Sequence, residues 1–159
     1  MNKKRMCRIV LLTLLTLLIM IFIFCMSAQD ADRSTDTSRG FLSSVLGEVL
    51  EQILPRLTEK GMENDIRKYA HIFEFFCLGL SSCLLFFELY WRQRHLFGKA
   101  GLSALLFGLL YACSDEIHQL FVPGRSGKFS DVLVDMTGVA IAVVLVVSGK
   151  AVKDRKKHS

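Results

Sequence analysis

The sequence lacks the motifs that mark a zinc-binding, redox or nucleotide-binding protein. Its five cysteines form no Cys-x-x-Cys pair, and four of them lie inside or at the ends of apolar runs, so we interpret them as small buried side chains. The segment Gly124–Lys128 resembles a phosphate-binding loop. However, only two residues separate its first glycine from the Gly-Lys pair, whereas that motif has four, and no strand is predicted before it. The distribution of apolar residues is therefore the main signal.

Charged residues are absent from long stretches of the chain. The sequence is 52% apolar and 22% charged, so the two classes must be separated along the chain. The mean hydropathy is +0.39. The net charge of +5 could indicate a nucleic-acid partner, but the positions of the basic residues relative to the membrane must be considered first. This separation excludes a disordered chain and indicates a membrane protein.

Four apolar segments approach or exceed the length of about 20 helical residues that crosses a bilayer. We predict spans at about residues 9–26, 69–89, 100–121 and 132–148. The first is longer than the core of a signal peptide, so we expect it to be retained. Because backbone groups inside a bilayer must bond within their own helix, the sequence predicts one all-α domain over residues 1–159, a four-helix transmembrane bundle.

A further helix is predicted between the first two spans. Apolar residues recur as adjacent pairs every four residues from Phe41 to Leu54, with Ser38 as a suitable N-cap and Pro55 near the end. We predict an outer amphipathic helix over about residues 39–57 that lies in the headgroup region or covers the bundle. An ordinary extramembrane helix packed on a neighbour is the alternative.

Lysine and arginine are unevenly distributed between the two sides of the predicted bundle. With a cytoplasmic N-terminus, the three inner segments hold 12 bases in 29 residues and the two outer segments hold 8 in 60. The positive-inside rule therefore predicts that both termini are cytoplasmic. The basic tail Lys150–Lys157 then meets anionic lipid, and no nucleic-acid partner is predicted.

Polar residues, joined in one set by a glycine, repeat at i, i+4 and i+7 at one end of three spans, which places each set on one helix face. The three sets are Arg67, His71 and Glu74; Tyr111, Asp115 and His118; and Asp131, Asp135 and Gly138. All three lie in the outer leaflet of the predicted topology, so they can meet. Because an acid inside a bilayer is costly, we expect these acids to face cations such as Arg67, Lys68 and Arg125.

Two small features are predicted to shape this region. Pro123 and Gly124 suit a tight turn that holds Arg125 over the site. Gly138 lies one helical turn beyond Asp135 and lets another helix approach closely.

Three interpretations of the polar residues remain open. They form an interhelical network that specifies packing, a binding site for a polar headgroup or substrate, or a catalytic site. A catalytic site could use a metal held by His71, Glu74, Asp115, His118 and Asp135. His71 and Glu74 can chelate one ion at i, i+3, but no second fixed-spacing motif supports this. We therefore predict no metal and no cofactor.

Three runs resemble the VanZ-like family of bacterial integral membrane proteins: Phe24–Gln29, Arg67–Phe75 and Ser114–Arg125, followed by Asp131, Asp135 and Gly138. The likeness spans nearly the whole chain. It implies a multi-pass protein of the bacterial plasma membrane, in a family named for a member associated with teicoplanin resistance, and it implies no particular reaction. Together with the spacing, it gives these candidate functional residues: Ser27, Gln29, Arg67, His71, Glu74, Ser114, Asp115, Glu116, His118, Gln119, Arg125, Asp131 and Asp135.

Two functions of different class follow. In the first, the outer-leaflet site binds an envelope lipid, a lipid-linked wall precursor or the drug, and so affects glycopeptide susceptibility. In the second, the protein is a membrane-embedded hydrolase or transferase that acts on a lipid headgroup. Whether a reaction is catalysed stays open. The predicted partners are in either case membrane lipids.

Overall fold

The computed structural model describes residues 2–29, 37, 44, 63–91 and 96–158, and this part of the chain contains helices and turns but no strand. The helices are α1 (Lys3–Ser27), α2 (Glu63–Leu89), α3 (Leu96–Gln119) and α4 (Phe129–His158). Each is long and apolar enough to cross a membrane, which confirms the predicted all-α, four-span fold. Apart from Ser44, the predicted helix at residues 39–57 lies outside the described residues.

Helix ends follow local hydrogen bonds rather than the limits of the apolar runs. α1 begins at Lys3 because the side chain of Asn2 accepts a 3.2 Å hydrogen bond from the Lys4 amide. α3 ends at Gln119, before the predicted limit at residue 121, because the amides of residues 120–122 donate to carbonyls three residues back. The chain tightens into a turn there, ahead of Pro123, which has no amide hydrogen.

One side of each helix is buried in the bundle, and the other side exposes large apolar side chains. α4 has its largest interface with α2, and α2 also packs against α1 and α3. The side chains of Ile23, Phe75 and Leu78 are fully buried, whereas Leu11 and Leu18 on α1 are more than 60% exposed. An exposed face of large apolar side chains suits contact with lipid rather than water.

Gly138 brings the backbones of α4 and α2 together. A Cβ atom at this position would overlap the carbonyl oxygen of Ile72 and lie 2.8 Å from the amide nitrogen of Phe76. A residue with any side chain would push the two helices apart.

Successive helices run in opposite directions, so α1 and α3 end where α2 and α4 begin. We call this the site end of the bundle. At the opposite end, the Arg5 Nε atom donates to the carbonyl of Glu88 at 3.1 Å, and Arg8 Nη1 lies 3.1 Å from Glu88 Oε1. These contacts tie the start of α1 to the end of α2, where a cation also complements the helix dipole.

Candidate functional site

Asp115 is the acid through which α1 is joined to α3 at the site end. It is 3% exposed, and its Oδ2 atom accepts hydrogen bonds from Ser27 Oγ at 2.8 Å and from Gln119 Nε2 at 2.9 Å. Ser27 is the last residue of α1, and Gln119 lies one turn after Asp115 on α3. The carboxylate is therefore held in one orientation by two neutral donors.

His71 and Asp135 join α2 to α4. The His71 Nδ1 atom lies 3.2 Å from Asp135 Oδ1, and Asp135 is fully buried. One ligating atom from each of His71, Asp115 and Asp135 lies within 4.8 Å of the others. Glu74 is 3% exposed and interacts electrostatically with all three residues. We call these four side chains the acidic floor, and its first three members could hold a metal ion.

The connection between α3 and α4 carries a cation back over this floor. Gly124 has a φ of 75°, a backbone conformation that favours glycine, and the Arg125 amide donates to the Val122 carbonyl at 3.2 Å. The Arg125 guanidinium donates to the Met26 carbonyl at 3.3 Å. Burial, with a smaller effect of the nearby Arg67, lowers the pKa of Arg125, although a guanidinium stays charged in proteins.

The same connection is also fixed to α3. The Lys128 amide donates to Glu116 Oε2 at 2.8 Å, and Glu116 is 6% exposed. Gly127 passes so close to the Glu116 carbonyl that a Cβ atom would overlap it. The segment between α3 and α4 is therefore held at both Arg125 and Lys128, which fixes their backbones beside the bundle.

A cavity of about 330 Å³ opens at the site end. Four basic side chains contribute to its wall, together with acids and hydroxyl groups. The lining residues are Arg67, Lys68, His71, Glu116, Gln119, Gly124, Arg125, Ser126, Lys128, Ser130, Asp131, Val134 and Asp135. We call the four basic side chains Arg67, Lys68, Arg125 and Lys128 the basic wall. His71 and Asp135 belong both to the acidic floor and to the cavity lining, so the acidic floor lies against the basic wall.

The structure brings most of the candidate residues together, but three of them neither line the cavity nor contact the acidic floor. His118 stacks on Phe24 with ring centroids 4.4 Å apart, and Gln29 donates to the sulfur of Met26 at 3.8 Å. Ser114 is exposed and donates to the carbonyl of Tyr111 in its own helix at 2.7 Å. These three contacts are local to α1 and α3 and do not involve the cavity lining.

Sequence spacing missed Ser126, Lys128, Ser130 and Val134 as lining residues. Ser130 and Val134 lie at the start of α4, and Ser126 and Lys128 lie in the segment set aside because it does not match a phosphate-binding loop. The available signal was its position: a short basic segment between the end of one span and the start of another must lie beside both helix ends.

The arrangement has two chemically distinct parts. The basic wall can accept an anionic group, because arginine and lysine bind phosphate or carboxylate through charge-assisted hydrogen bonds. The acidic floor can hold a cation or exchange protons through the His71–Asp135 pair.

Comparison with known proteins gives one finding. The sequence model of the family described as VanZ/LLP1 matches residues 12–150, which is most of the chain. No curated protein and no solved structure matched.

Proposed function

Since the chain belongs to the VanZ/LLP1 family, a membership that specifies no reaction, we propose from the site that it binds the anionic headgroup of an envelope lipid or lipid-linked wall precursor. The observation that carries this proposal is the cavity lined by Arg67, Lys68, Arg125 and Lys128. Four cations around one cavity favour a group with more than one negative oxygen, such as a phosphate or pyrophosphate.

The start of α4 adds to this preference. α4 begins at Phe129, and Lys128, Ser130 and Asp131 at its first turn line the cavity. The amides at the start of a long helix point toward the space beyond it and favour negative charge. Asp131 also sits there, so the basic side chains carry the anion preference and the helix end supports it.

A lipid fits the surroundings better than a free anion. Four exposed apolar side chains lie within two residues of lining residues along the chain, and we call them the apolar rim. Leu120, Phe121, Phe129 and Leu133 are between 57% and 80% exposed. Such a rim can contact acyl or prenyl chains while the headgroup occupies the basic cavity.

We place the cavity at the outer leaflet of a bacterial plasma membrane, with both termini cytoplasmic. The excess of bases in the short inner segments supports this orientation. A protein that occupies a lipid or precursor at that surface changes what a glycopeptide such as teicoplanin can reach, and altered susceptibility to that drug is the proposed consequence.

Native mass spectrometry of the protein in nanodiscs that contain phosphatidylglycerol tests the binding. Lys128→Gln and Arg125→Gln should each weaken lipid retention about tenfold, the value of one charge-assisted hydrogen bond. Lys4→Gln is the matched control, because Lys4 is an exposed lysine at the opposite end of the bundle and lies outside the basic tail. Equal retention by all three variants would contradict a headgroup site in the cavity.

The His71–Asp135 pair favours a second candidate function, a hydrolase or transferase that acts on the bound headgroup. The two side chains lie 3.2 Å apart and both line the cavity, so the pair could move a proton to or from a bound substrate. Mass spectrometry of lipids and wall precursors from cells with and without the protein separates the two functions. Only an enzyme leaves a chemically altered molecule, and that molecule should disappear in His71→Gln.

A further inference from the structure

We propose that His71, Asp115 and Asp135 form a binding site for one divalent transition-metal ion. This differs from the expectation based on sequence spacing, which found no second metal motif. Three different helices each supply one of the residues, so no spacing within the chain can reveal the set. The proposal is independent of headgroup binding, because protein side chains alone would hold the ion.

The geometry is close to that of a metal site. One ligating atom of each residue lies within 4.8 Å of the others, and His71 Nδ1 is 3.2 Å from Asp135 Oδ1. Two ligands that bind one ion at about 2.0–2.2 Å must lie within roughly 4.4 Å of each other. The His71–Asp135 distance already meets this limit. Because the Asp115 atom lies within 4.8 Å of the other two, a shift of at most roughly 0.4 Å would bring it within the limit as well.

Two buried oxygen atoms point independently to a cation. Among the described residues, Asp135 Oδ2 and Glu74 Oε2 have no hydrogen-bond partner, although Asp135 is fully buried and Glu74 is only 3% exposed. Glu74 lies near enough to interact electrostatically with His71, Asp115 and Asp135. Buried polar atoms without a partner are costly and unusual. A divalent ion among these residues would offset the clustered negative charge and give Asp135 a partner.

The surroundings of Asp115 also suit a ligand. Its Oδ2 atom accepts hydrogen bonds from Ser27 and Gln119, and hydrogen bonds of this kind orient metal-binding carboxylates. One imidazole nitrogen with two or more carboxylate oxygens is a ligand set that suits Mn²⁺ or Zn²⁺.

Metal uptake by the full chain in detergent tests the site. The protein is stripped with a chelator, incubated separately with Mn²⁺ and Zn²⁺, desalted and analysed by plasma mass spectrometry. The wild type should retain about one ion per chain, as a single site requires. Asp135→Asn and His71→Gln should lower the affinity at least tenfold. Asp154→Asn, which removes an exposed acid near the opposite end of α4, should retain the ion.

Gel filtration and circular dichroism show whether each variant folds. If a variant does not fold, electron paramagnetic resonance of the Mn²⁺-loaded wild type still tests the site. A ¹⁴N coupling from one imidazole is expected in the wild type. The proposal is overturned if the folded wild type retains neither ion, if its Mn²⁺ shows no nitrogen coupling, or if the folded variants bind as tightly as the wild type.

Discussion

Asp115 illustrates how an acid can be accommodated inside a bundle of apolar helices. Placing an acid at the centre of a membrane helix costs about 2.5–3.5 kcal/mol, and less near the interface. Here the carboxylate lies one turn from the end of α3 and is bonded by Ser27 and Gln119. Position and hydrogen bonding together make its burial tolerable.

Ser27→Ala should destabilise the protein by about 1–2 kcal/mol, because it removes a donor from a buried carboxylate that keeps Gln119 as its other partner. Thermal unfolding in detergent, followed by circular dichroism, measures the effect. Ser114→Ala is the control: Ser114 is exposed and bonds only within its own helix, so its midpoint should match that of the wild type. Equal midpoints for both variants would show that the Ser27–Asp115 bond contributes no net stability.

At this scale the sequence predicted which residues lie together at one end of the bundle better than it predicted their partners. The i, i+4, i+7 spacing placed His71, Asp115 and Asp135 on inward helix faces. It could not indicate that His71 meets Asp135, or that Ser27 meets Asp115, because such pairs depend on how each helix is rotated about its axis. Glu88 was also missed, since a single acid near the end of an apolar run has no periodic partner in the sequence.

The helices themselves were the most predictable elements. Long apolar runs indicate the number of helices and their approximate place, because a single apolar segment inside a membrane pairs its backbone groups by forming a helix. Their exact ends depend on capping and on turns such as that at residues 120–122, for which hydropathy carries little information. In the sequence, only the position of Gly138 indicated a close contact between helices such as that of α2 with α4.

Gly138→Ala should destabilise the α2–α4 interface by about 1–3 kcal/mol, since the new Cβ atom meets backbone atoms of Ile72 and Phe76 that cannot rotate away. Gly149→Ala lies on the same helix with no atom within 4 Å of the added Cβ. It should be neutral or stabilising by up to about 1 kcal/mol through helix propensity. Thermal unfolding of the pair measures the difference, and a Gly138→Ala protein as stable as Gly149→Ala would contradict the close crossing.

At the scale of the whole molecule, alternating helix direction brings most of the candidate functional residues to one end. The ends of α1 and α3 and the starts of α2 and α4 meet there, and two distant parts of the sequence, residues 67–71 and 116–135, supply the lining of one cavity. The opposite end holds the Arg5–Glu88 and Arg8–Glu88 contacts, which stabilise α1 against α2. The two ends thus have different polar contacts, and the orientation of the bundle decides which side of the membrane the cavity serves.

Cysteine labelling tests that orientation. In a cysteine-free background, a cysteine in place of exposed Ser126 should react with a membrane-impermeant maleimide in intact cells. A cysteine in place of exposed Lys153 should react only after permeabilisation. The expectation follows from the excess of bases in the short inner segments. The reverse pattern would move the cavity to the cytoplasmic side and remove the link to wall precursors and extracellular drugs.

A crystal structure of the protein grown in a lipidic mesophase with phosphatidylglycerol tests most directly whether the basic cavity holds a lipid headgroup. We expect phosphate density in the cavity, within hydrogen-bond distance of Arg125 and of at least one of Arg67, Lys68 and Lys128. The acyl chains should leave the cavity over Leu120 and Phe121. Headgroups bound elsewhere on the bundle, with only water in the cavity, would contradict it.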